Sequence, residues 1–448
     1  MIGQERCEAV LNKSLSLSRA EDTEVYLSVQ DQGLTRFASN VIHQNVSHSN
    51  AQLHIRAVAG RRQGRATTND LSDEGIERAV ERAHQNALLM PADPDFKGLP
   101  GVKDMPQQVP AHDEATASCS PEARARVVAV VCRKAEAEGL NASGACRTGT
   151  HETAVMSTQG ARAYHAGTFA GLINTLMSDT SAGWSKGSSW RISDIDAESL
   201  ADEAVSKALR GRDPRPIEPG KYTVVLDPYA VDDILSALSL YGMGAHIVQE
   251  GRSWMNGLIG KRAMSPLVSI WDDGSDSEGW PVPFDAEGVP CQRVDIVKEG
   301  VVGDPVHNSY TAGKEGKAST GHQTSFSNWG TVGPMATNLF MGNGDSTLEG
   351  MIGSTQRGLY ITRFFYTRLV HSRGCMMTGM TRDGVFLIEN GELSHPVKNL
   401  RFTQSYVEAL VEVEVVGNQR KLIMNESGFA TVVPALKLTA FNFTGVTV

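Results

Sequence analysis

The chain has 448 residues, of which 40% are hydrophobic and 21% are charged, and its formal net charge is -9 at a pI of about 5.8. This length predicts two or three folding units. The acidic balance argues against attachment to nucleic acid or anionic lipid by charge, and no stretch approaches the roughly 18 apolar residues of a membrane span.

Residues 1–90 predict an N-terminal α+β domain. The opening segment lacks a basic region followed by an apolar run, so we expect no signal peptide. From Glu24 to Asn69 apolar and polar residues alternate, which is typical of antiparallel strands. A helix then begins near Ser72 and ends before Pro91.

Residues 91–118 contain five prolines and predict a first linker. Residues 119–212 predict a central α+β region, with a helix capped by Ser120, strands over 145–192 and a helix over 197–210. Both regions thus combine strands with a packing helix. Their sequence identity is too low to establish a repeat.

Residues 213–220 predict a second linker, and residues 221–448 predict a β-rich C-terminal domain that is barrel- or sandwich-like. Asn390–Gly391 indicates a tight hairpin inside it. The expected fold class is therefore α+β, with N-terminal sheet-plus-helix regions followed by the β-rich domain.

One prominent helix follows the strand "KYTVVL" near the start of this domain. Asp227 can cap it and Pro228 suits its first turn. Its apolar residues recur at helical spacing, and its polar features are Ser236, Ser239 and Tyr241. We therefore expect a helix whose inner face carries almost no chemistry.

The sequence offers few candidates for catalysis. The six cysteines are scattered without a CxxC pair, which favours reduced thiols in a cytoplasm over disulfides or a zinc ribbon. His151 and Glu152 lack the second histidine of a zinc protease helix, so no metal site is expected there. Cys375, four residues after His371, is a weak nucleophile candidate, because the neighbouring methionines favour burial.

Residues 361–405 are dense in aromatic residues, arginines and turn glycines. Their basic and aromatic positions alternate with apolar ones, as in strands with one face on a core and the other on a groove. Such a groove can bind an extended peptide along a sheet edge, and the alternative is a solvated strand face. The candidate groove residues are Arg363, Tyr366, Arg368 and Arg382, with Lys398 beside them.

This segment, "ITRFFYTRLVHSRGCMMTGMTRDGVFLIENGELSHPVKNLRF", resembles the C-terminal signature of the TldD/PmbA (TldE) proteins, also called modulators of DNA gyrase. "LTRFASNVIHQN", residues 34 to 45, resembles their N-terminal signature. The resemblance implies a family in which a TldD-type subunit is a zinc metallopeptidase and a PmbA- or TldE-type subunit is its partner. It covers residues 20 to 448.

The resemblance also implies where the zinc site would lie. A His-Glu-three-residues-His motif on the first helix of the C-terminal domain would fall at Ser236, Ala237 and Tyr241, to within a residue of register, and a late cysteine would fall at Ser427. A hydroxyl, a methyl group and a phenol supply neither imidazole ligands nor a general base. The implied protein is a non-catalytic subunit without metal or cofactor, whose TldD-like partner holds the zinc and cleaves unfolded or leader peptides.

Two other classes remain open. The chain could be a standalone hydrolase that uses Cys375 or an unrecognised metal site. It could also be a homodimeric peptide-binding regulator. The sequence does not identify the peptide or the oligomer.

Overall fold

The computed structural model describes residues 1–102, 106–325, 333–425 and 428–446. Its architecture is α+β, with a β-rich C-terminal part, as predicted. None of the helices in these ranges is long and apolar enough to cross a membrane.

The α-helices alternate with strands in the N-terminal half and are shorter and sparser afterwards. They are α1 Gln4–Leu17, α2 Asp73–Leu89, α3 Glu114–Ala117, α4 Pro121–Ala137, α5 Ala197–Arg210, α6 Pro228–Leu238, α7 Ala245–Gln249, α8 Ser309–Glu315, α9 Leu348–Gly353 and α10 Tyr406–Val411.

The strands form two sheets. They are β1 Asp22–Ala38, β2 Val41–Ala59, β3 Arg62–Thr68, β4 Asn141–Ser157, β5 Arg162–Met177, β6 Ala182–Ser189, β7 Gly220–Leu226, β8 Ile270–Asp272, β9 Val294–Lys298, β10 Val301–Val302, β11 Asn338–Met341, β12 Arg357–His371, β13 Met376–Glu389, β14 Glu392–Pro396, β15 Leu400–Ser405, β16 Val413–Met424 and β17 Ala430–Val446.

The N-terminal sheet has the order β3-β2-β1-β4-β5-β6. Residues 1–90 and 119–212 therefore contribute three strands each, joined by the antiparallel pairing of β1 with β4. Each set of strands lies between two helices, so the order helix, three strands, helix occurs twice along the chain. The sheet has a pseudo-twofold arrangement about the β1–β4 pair.

One face of this sheet carries the helices. Helices α1 and α2 share a hydrophobic core with the first strands, and α4 and α5 share a second core with β4 and β5. A glycine on each outer strand lets a helix approach closely. A Cβ at Gly64 would lie 2.0 Å from the Ala87 nitrogen, and one at Gly183 would lie 1.9 Å from the Ala204 oxygen.

The other face meets the C-terminal part of the chain. Phe284 packs in a buried cluster with Val155, and Arg56 donates hydrogen bonds to Glu24 at 3.3 Å and Glu287 at 3.1 Å. All three charged side chains are buried. This contact positions the two sheets relative to each other.

The C-terminal sheet runs β10-β9-β8-β11-β17-β15-β13-β12-β7, with β14 and β16 attached to β13 and β17. Strand β7 pairs with both β12 and β17. Asn390 and Gly391 both have positive φ between β13 and β14, which confirms the predicted hairpin. Helix α6 packs in the large core of this sheet through Val231, Ile234, Leu235 and Leu238.

Candidate functional site

Strand β7 leads directly into helix α6, as the sequence predicts. The Asp227 side chain accepts a hydrogen bond from the Tyr229 amide at 3.3 Å, and Pro228 occupies the first turn. The helix ends at Leu238 and continues into a π-helical turn over Ser239–Met243. The strand and the cap thus fix the direction in which α6 crosses the C-terminal sheet.

The resemblance places the zinc ligands of the family at four positions of this chain, and these positions differ in their surroundings. Ser236 is half-buried and donates a hydrogen bond to Asp232 at 3.3 Å. Ala237 is buried in the core, and Tyr241 packs against it from the π-helical turn. Burial raises the pKa of the Tyr241 phenol. Ser427 lies outside the described residues.

These side chains do not fit a zinc ion. Zinc in proteins takes imidazole, thiolate or carboxylate ligands, and the three positions on α6 and its extension offer a hydroxyl, a methyl group and a phenol. Across the four described ranges, no group of three or more His, Cys, Asp or Glu side chains could hold a metal ion.

The structure adds Asp232 and Asp233 to the three polar residues that the sequence analysis assigned to this helix. Asp232 accepts hydrogen bonds from Thr431 at 2.7 Å and from Ser236. Asp233 accepts hydrogen bonds from Thr367 and Tyr406, both at 2.6 Å. The sequence did carry a signal for these contacts, because Asp232 and Asp233 are adjacent carboxylates in an otherwise largely apolar helix.

Both aspartates are half-buried among their hydrogen-bond partners. Burial raises the pKa of Asp232 above its usual range and raises the pKa of Asp233 to about 6. Their oxygens accept from hydroxyl groups on β12, β17 and α10. The two carboxylates therefore connect α6 to β12, β17 and α10 through hydrogen bonds.

A second polar network surrounds the start of α6. Lys207 of α5 donates to Asp227 at 3.2 Å and to Glu203 at 2.7 Å, and Tyr360 donates to Asp227 at 2.5 Å. Burial opposes the Lys207 charge, but Asp227 and Glu203 outweigh it and hold the pKa of that ammonium above its usual value. Tyr229 extends the network to Glu203 at 3.2 Å. The network joins the N-terminal sheet layer to α6.

The structure brings Arg363 and Arg382 together. They are cross-strand neighbours on β12 and β13, and both guanidinium groups stack on Phe365, at 5.2 and 4.2 Å from the ring centroid. Arg363 also donates to Asp383 at 2.7 Å and stacks on Trp184 at 4.6 Å. Arg363 is thus fixed by its neighbours.

Tyr366 and Arg368 form a separate exposed pair. Tyr366 has a φ of 55° at an irregularity of β12, and 63% of it is exposed. The Arg368 guanidinium stacks on its ring at 4.3 Å. Arg382 and Lys398 instead line a cleft of about 430 Å³ between β13 and the turn before β6.

Cys375 is fully buried, as its methionine neighbours suggest. Burial raises the pKa of its thiol to about 12, with Asp233 adding to the effect. The thiolate is the nucleophilic form, so this environment disfavours catalysis by Cys375. His151 and Glu152 lie on strand β4, as predicted.

Two matches to the family described as PmbA/TldA metallopeptidase show which protein family this chain belongs to. Its C-terminal domain matches residues 219–445, and its domain 1 matches residues 23–87. The chain belongs to the PmbA/TldD family. The C-terminal match contains α6, β12 and β13, and the domain 1 match contains β1 to β3.

Curated PmbA/TldD relatives are named as metalloproteases. A Metalloprotease TldD homolog from Haemophilus influenzae is 27% identical over 230 residues, which are 51% of this chain and 47% of the relative. Metalloprotease PmbA from Escherichia coli O157:H7 is 26% identical over 181 residues, 40% of this chain and 37% of the relative. The chain spans about half the length of the first of these relatives and less of the second.

Solved structures share the fold over nearly the whole chain. TldE from Thermococcus kodakarensis superposes with a TM-score of 0.87 and 18% identity, covering 98% of this chain and 100% of that one. A proposed modulator of a DNA gyrase from Thermotoga maritima superposes with a TM-score of 0.85 and 19% identity, with the same coverage. At these identities, the likeness establishes the fold alone.

Proposed function

We propose that this chain is the non-catalytic, TldE-type subunit of a zinc metallopeptidase complex that cleaves unfolded or leader peptides. The observation that carries the proposal is helix α6. It keeps the strand-to-helix architecture of a metallopeptidase family, while Ser236, Ala237 and Tyr241 supply no zinc ligand. Zinc and the activation of water would belong to a TldD-like partner.

The carboxylates of α6 do not restore catalysis in this chain. Asp233 accepts a hydroxyl hydrogen bond at each carboxylate oxygen, both at 2.6 Å, and Asp232 accepts from Thr431 at 2.7 Å. Among the described residues, neither aspartate belongs to a group of three or more His, Cys, Asp or Glu side chains that could hold a metal ion. The buried Cys375 thiol offers no alternative nucleophile. These contacts favour the subunit hypothesis over a standalone hydrolase.

The chain would contribute a wall of the peptide-binding groove. Tyr366 and Arg368 are exposed and stacked on each other, so they can contact a peptide without losing internal partners. Arg382 faces a cleft, and Arg363 supports it through Phe365 and Asp383. We assign peptide contact to Tyr366, Arg368 and Arg382. Arg363 has a supporting role.

The decisive experiment compares this chain alone, a TldD-like protein alone and the two together in a cleavage assay with an unfolded peptide. We expect cleavage that requires the TldD-like protein, is enhanced by this chain and is lost on chelation. Metal analysis should find stoichiometric zinc only in samples that contain the partner.

Ser236→Ala provides the internal control, because Ser236 should not bind metal. This variant should leave cleavage by the mixture within about twofold of the wild type. Cleavage by this chain alone, removed by a chelator or by Ser236→Ala, would refute the proposal. A homodimer that never binds the TldD-like protein would favour the regulator hypothesis instead.

A further inference from the structure

The hairpin of β12 and β13 concentrates one kind of charge. Residues 363–382 contain four arginines and one histidine, and no Asp or Glu. Strand β15, which pairs with β13, adds Arg401 and also lacks a carboxylate. Because the whole chain has a net charge of -9, these strands are cationic against the composition of the protein. A concentration of one sign of charge points to an oppositely charged ligand.

The strand register gathers these side chains on one face of the sheet. Residues directly opposite each other share a face, and successive residues of a strand alternate between faces. Phe364, Thr381 and Phe402 are buried, so the residues that alternate with them point away from the core. We call these outward residues the arginine face, and its members are Arg363, Phe365, Arg368, Met380, Arg382 and Arg401.

One end of the arginine face is already neutralised. Arg363 donates to the buried Asp383 at 2.7 Å, and Arg382 lies 3.6 Å from the same carboxylate. Asp179 lines the opposite wall of the cleft that Arg382 faces. This end has as many carboxylates as arginines, so it offers no excess charge to an anion.

The other end has arginines without a carboxylate. Arg368 and Arg401 are exposed, and neither makes an ion pair within the described ranges of the chain. Arg368 stacks on Tyr366 at 4.3 Å, and stacking leaves the N–H edge of a guanidinium free to meet a carboxylate. Asp233 reaches Thr367 from helix α6, on the core side of the sheet. The excess positive charge of the face therefore lies at Arg368 and Arg401.

The spacing of these two arginines suits an extended peptide. Arg368 lies opposite Thr378 on β13, and Thr378 lies opposite Thr403 on β15. Arg401 is two residues along β15 from Thr403. Two strand separations of about 4.8 Å and two residues of about 3.4 Å put the Cα atoms of Arg368 and Arg401 about 12 Å apart. An extended peptide covers about 13 Å in four residues, and residues four apart point to the same side.

Apolar surface lies between the two arginines. Met380 is half-buried and lies directly opposite both Phe365 and Arg401. In an extended peptide, the residue midway between two residues four apart points to the same side as they do. An apolar side chain at that position would pack on Met380 and add affinity by burying apolar surface.

Two other occupants fit the arginine face less well. Single-stranded nucleic acid stacks its bases on aromatic rings, but Arg368 covers Tyr366 and Arg382 covers Phe365. The net charge of -9 also opposes a long polyanion. A second copy of this chain, bound through the same face, would bring like charges together. A short acidic segment of a peptide meets neither objection.

We propose that the arginine face binds an acidic segment of a peptide, with carboxylates four residues apart on Arg368 and Arg401 and an apolar residue between them on Met380. The assignment rests on the proposed function, because this peptide is the substrate that the complex would cleave. It names the substrate class as unfolded peptides that contain acidic segments.

The test measures the Kd of a fluorescein-labelled, unfolded peptide for the full chain by fluorescence anisotropy. The Asp probe carries Asp, Leu and Asp at alternate positions, and the Asn probe carries Asn in place of both Asp residues. The face variant is Arg368→Gln with Arg401→Gln. The control is Arg82→Gln with Arg133→Gln, which removes the same charge at exposed positions of α2 and α4.

The wild type should bind the Asp probe at least about tenfold more tightly than the Asn probe, and the face variant should lose this preference. Moving one Asp of the probe by a single residue should weaken binding at least about threefold, because its side chain then points to the other side. The control should bind the Asp probe within about twofold of the wild type. Higher salt should reduce the preference for the Asp probe. Thermal unfolding checks that each variant remains folded, and the comparison of probes needs only the wild type.

Equal binding of the two probes by the wild type, or equal losses in the face and control variants, would overturn the assignment and leave the proposed function standing. Single-stranded DNA that binds more tightly than the Asp probe would give the face to nucleic acid. Failure of this chain to enhance the cleavage of any peptide by a TldD-like protein would instead reject the proposed function.

Discussion

Asp233 shows how a single half-buried carboxylate can join a helix to neighbouring elements. Its oxygens accept from Thr367 on β12 and Tyr406 on α10, so one side chain joins three elements. Burial disfavours its charged form, and the two hydroxyl donors recover only part of that loss. Its protonation should therefore affect the stability of the fold.

The pH dependence of Asp233 has a definite sign. Its pKa is raised from 3.8 to about 6, so between these values the folded chain holds a proton that the unfolded chain has released. The stability that this group contributes is greatest near pH 4, falls as the pH rises to 6 and is constant above. Asp233→Asn should remove this fall, gaining on the order of 2 kcal/mol relative to the wild type between pH 4 and pH 7.

Urea unfolding of the wild type and Asp233→Asn at the two pH values measures this difference. Asp345→Asn, at an exposed carboxylate, controls for the general effect of losing one charge. A stability difference between wild type and Asp233→Asn that is the same at both pH values would contradict the argument.

At the scale of elements, the two outer strands of the N-terminal sheet use the same packing device. Gly64 on β3 lies under Ala83 and Ala87 of α2, and Gly183 on β6 lies under Ala204 and Ala208 of α5. In each pair the alanines are four residues apart and face one side of a helix. The absence of a Cβ on the strand lets backbone meet backbone.

Gly64→Ala and Gly183→Ala should each destabilise the protein by about 2 to 3 kcal/mol, because the new Cβ meets backbone atoms that cannot move independently. Gly353→Ala in α9, where a Cβ meets nothing within 4 Å, should change the free energy of unfolding by less than about 1 kcal/mol. Chemical unfolding of the three variants provides the comparison. Equal changes in the free energy of unfolding at all three positions would show that the lost backbone freedom of glycine, rather than close packing, determines the effect.

Some of these elements were predictable because their determinants are local. The cap at Asp227, the spacing of apolar residues in α6 and the turn at Asn390–Gly391 each act within a few residues. The β1–β4 pairing was not predictable, since two strands, three helices and a linker separate β1 from β4 along the chain. The two sets of strands share packing positions more than sequence.

The candidate site was predictable only in part. The positions on α6 that lack zinc ligands follow from the family resemblance, but the roles of Asp232 and Asp233 depend on hydroxyl groups up to about 200 residues away. A charged residue in a helix is usually exposed, and only the folded chain shows that these two are half-buried and hydrogen-bonded to distant hydroxyl groups. The separation of Arg363 from Tyr366 likewise depends on the irregularity in β12.

At the scale of the whole molecule, Lys207 connects the two sheet layers. It extends from α5, which packs on the N-terminal sheet, to Asp227 at the start of α6. Asp227 is buried and also accepts from Tyr360 on β12. The ammonium thus balances a carboxylate that belongs to the C-terminal core.

Lys207→Met should lower the free energy of unfolding by about 3 kcal/mol, because it leaves Asp227 buried without its cation. Lys134→Met removes surface ion pairs to Glu198 and Asp202 and should cost less than about 1 kcal/mol. Urea unfolding measures the losses, and proteolysis between residues 211 and 219 should accelerate only in Lys207→Met. Equal losses in the two variants would contradict a connecting role for Lys207.

The central place of β1 in the N-terminal sheet has a consequence for synthesis. Strand β1 pairs with β2 immediately along the chain, but its other neighbour, β4, is complete only about 120 residues later. At translation rates of about 5–20 residues per second, one side of β1 waits about 6 to 24 seconds for its partner. During that interval a nascent chain on the ribosome exposes one edge of β1, where an unpaired strand of another chain could add.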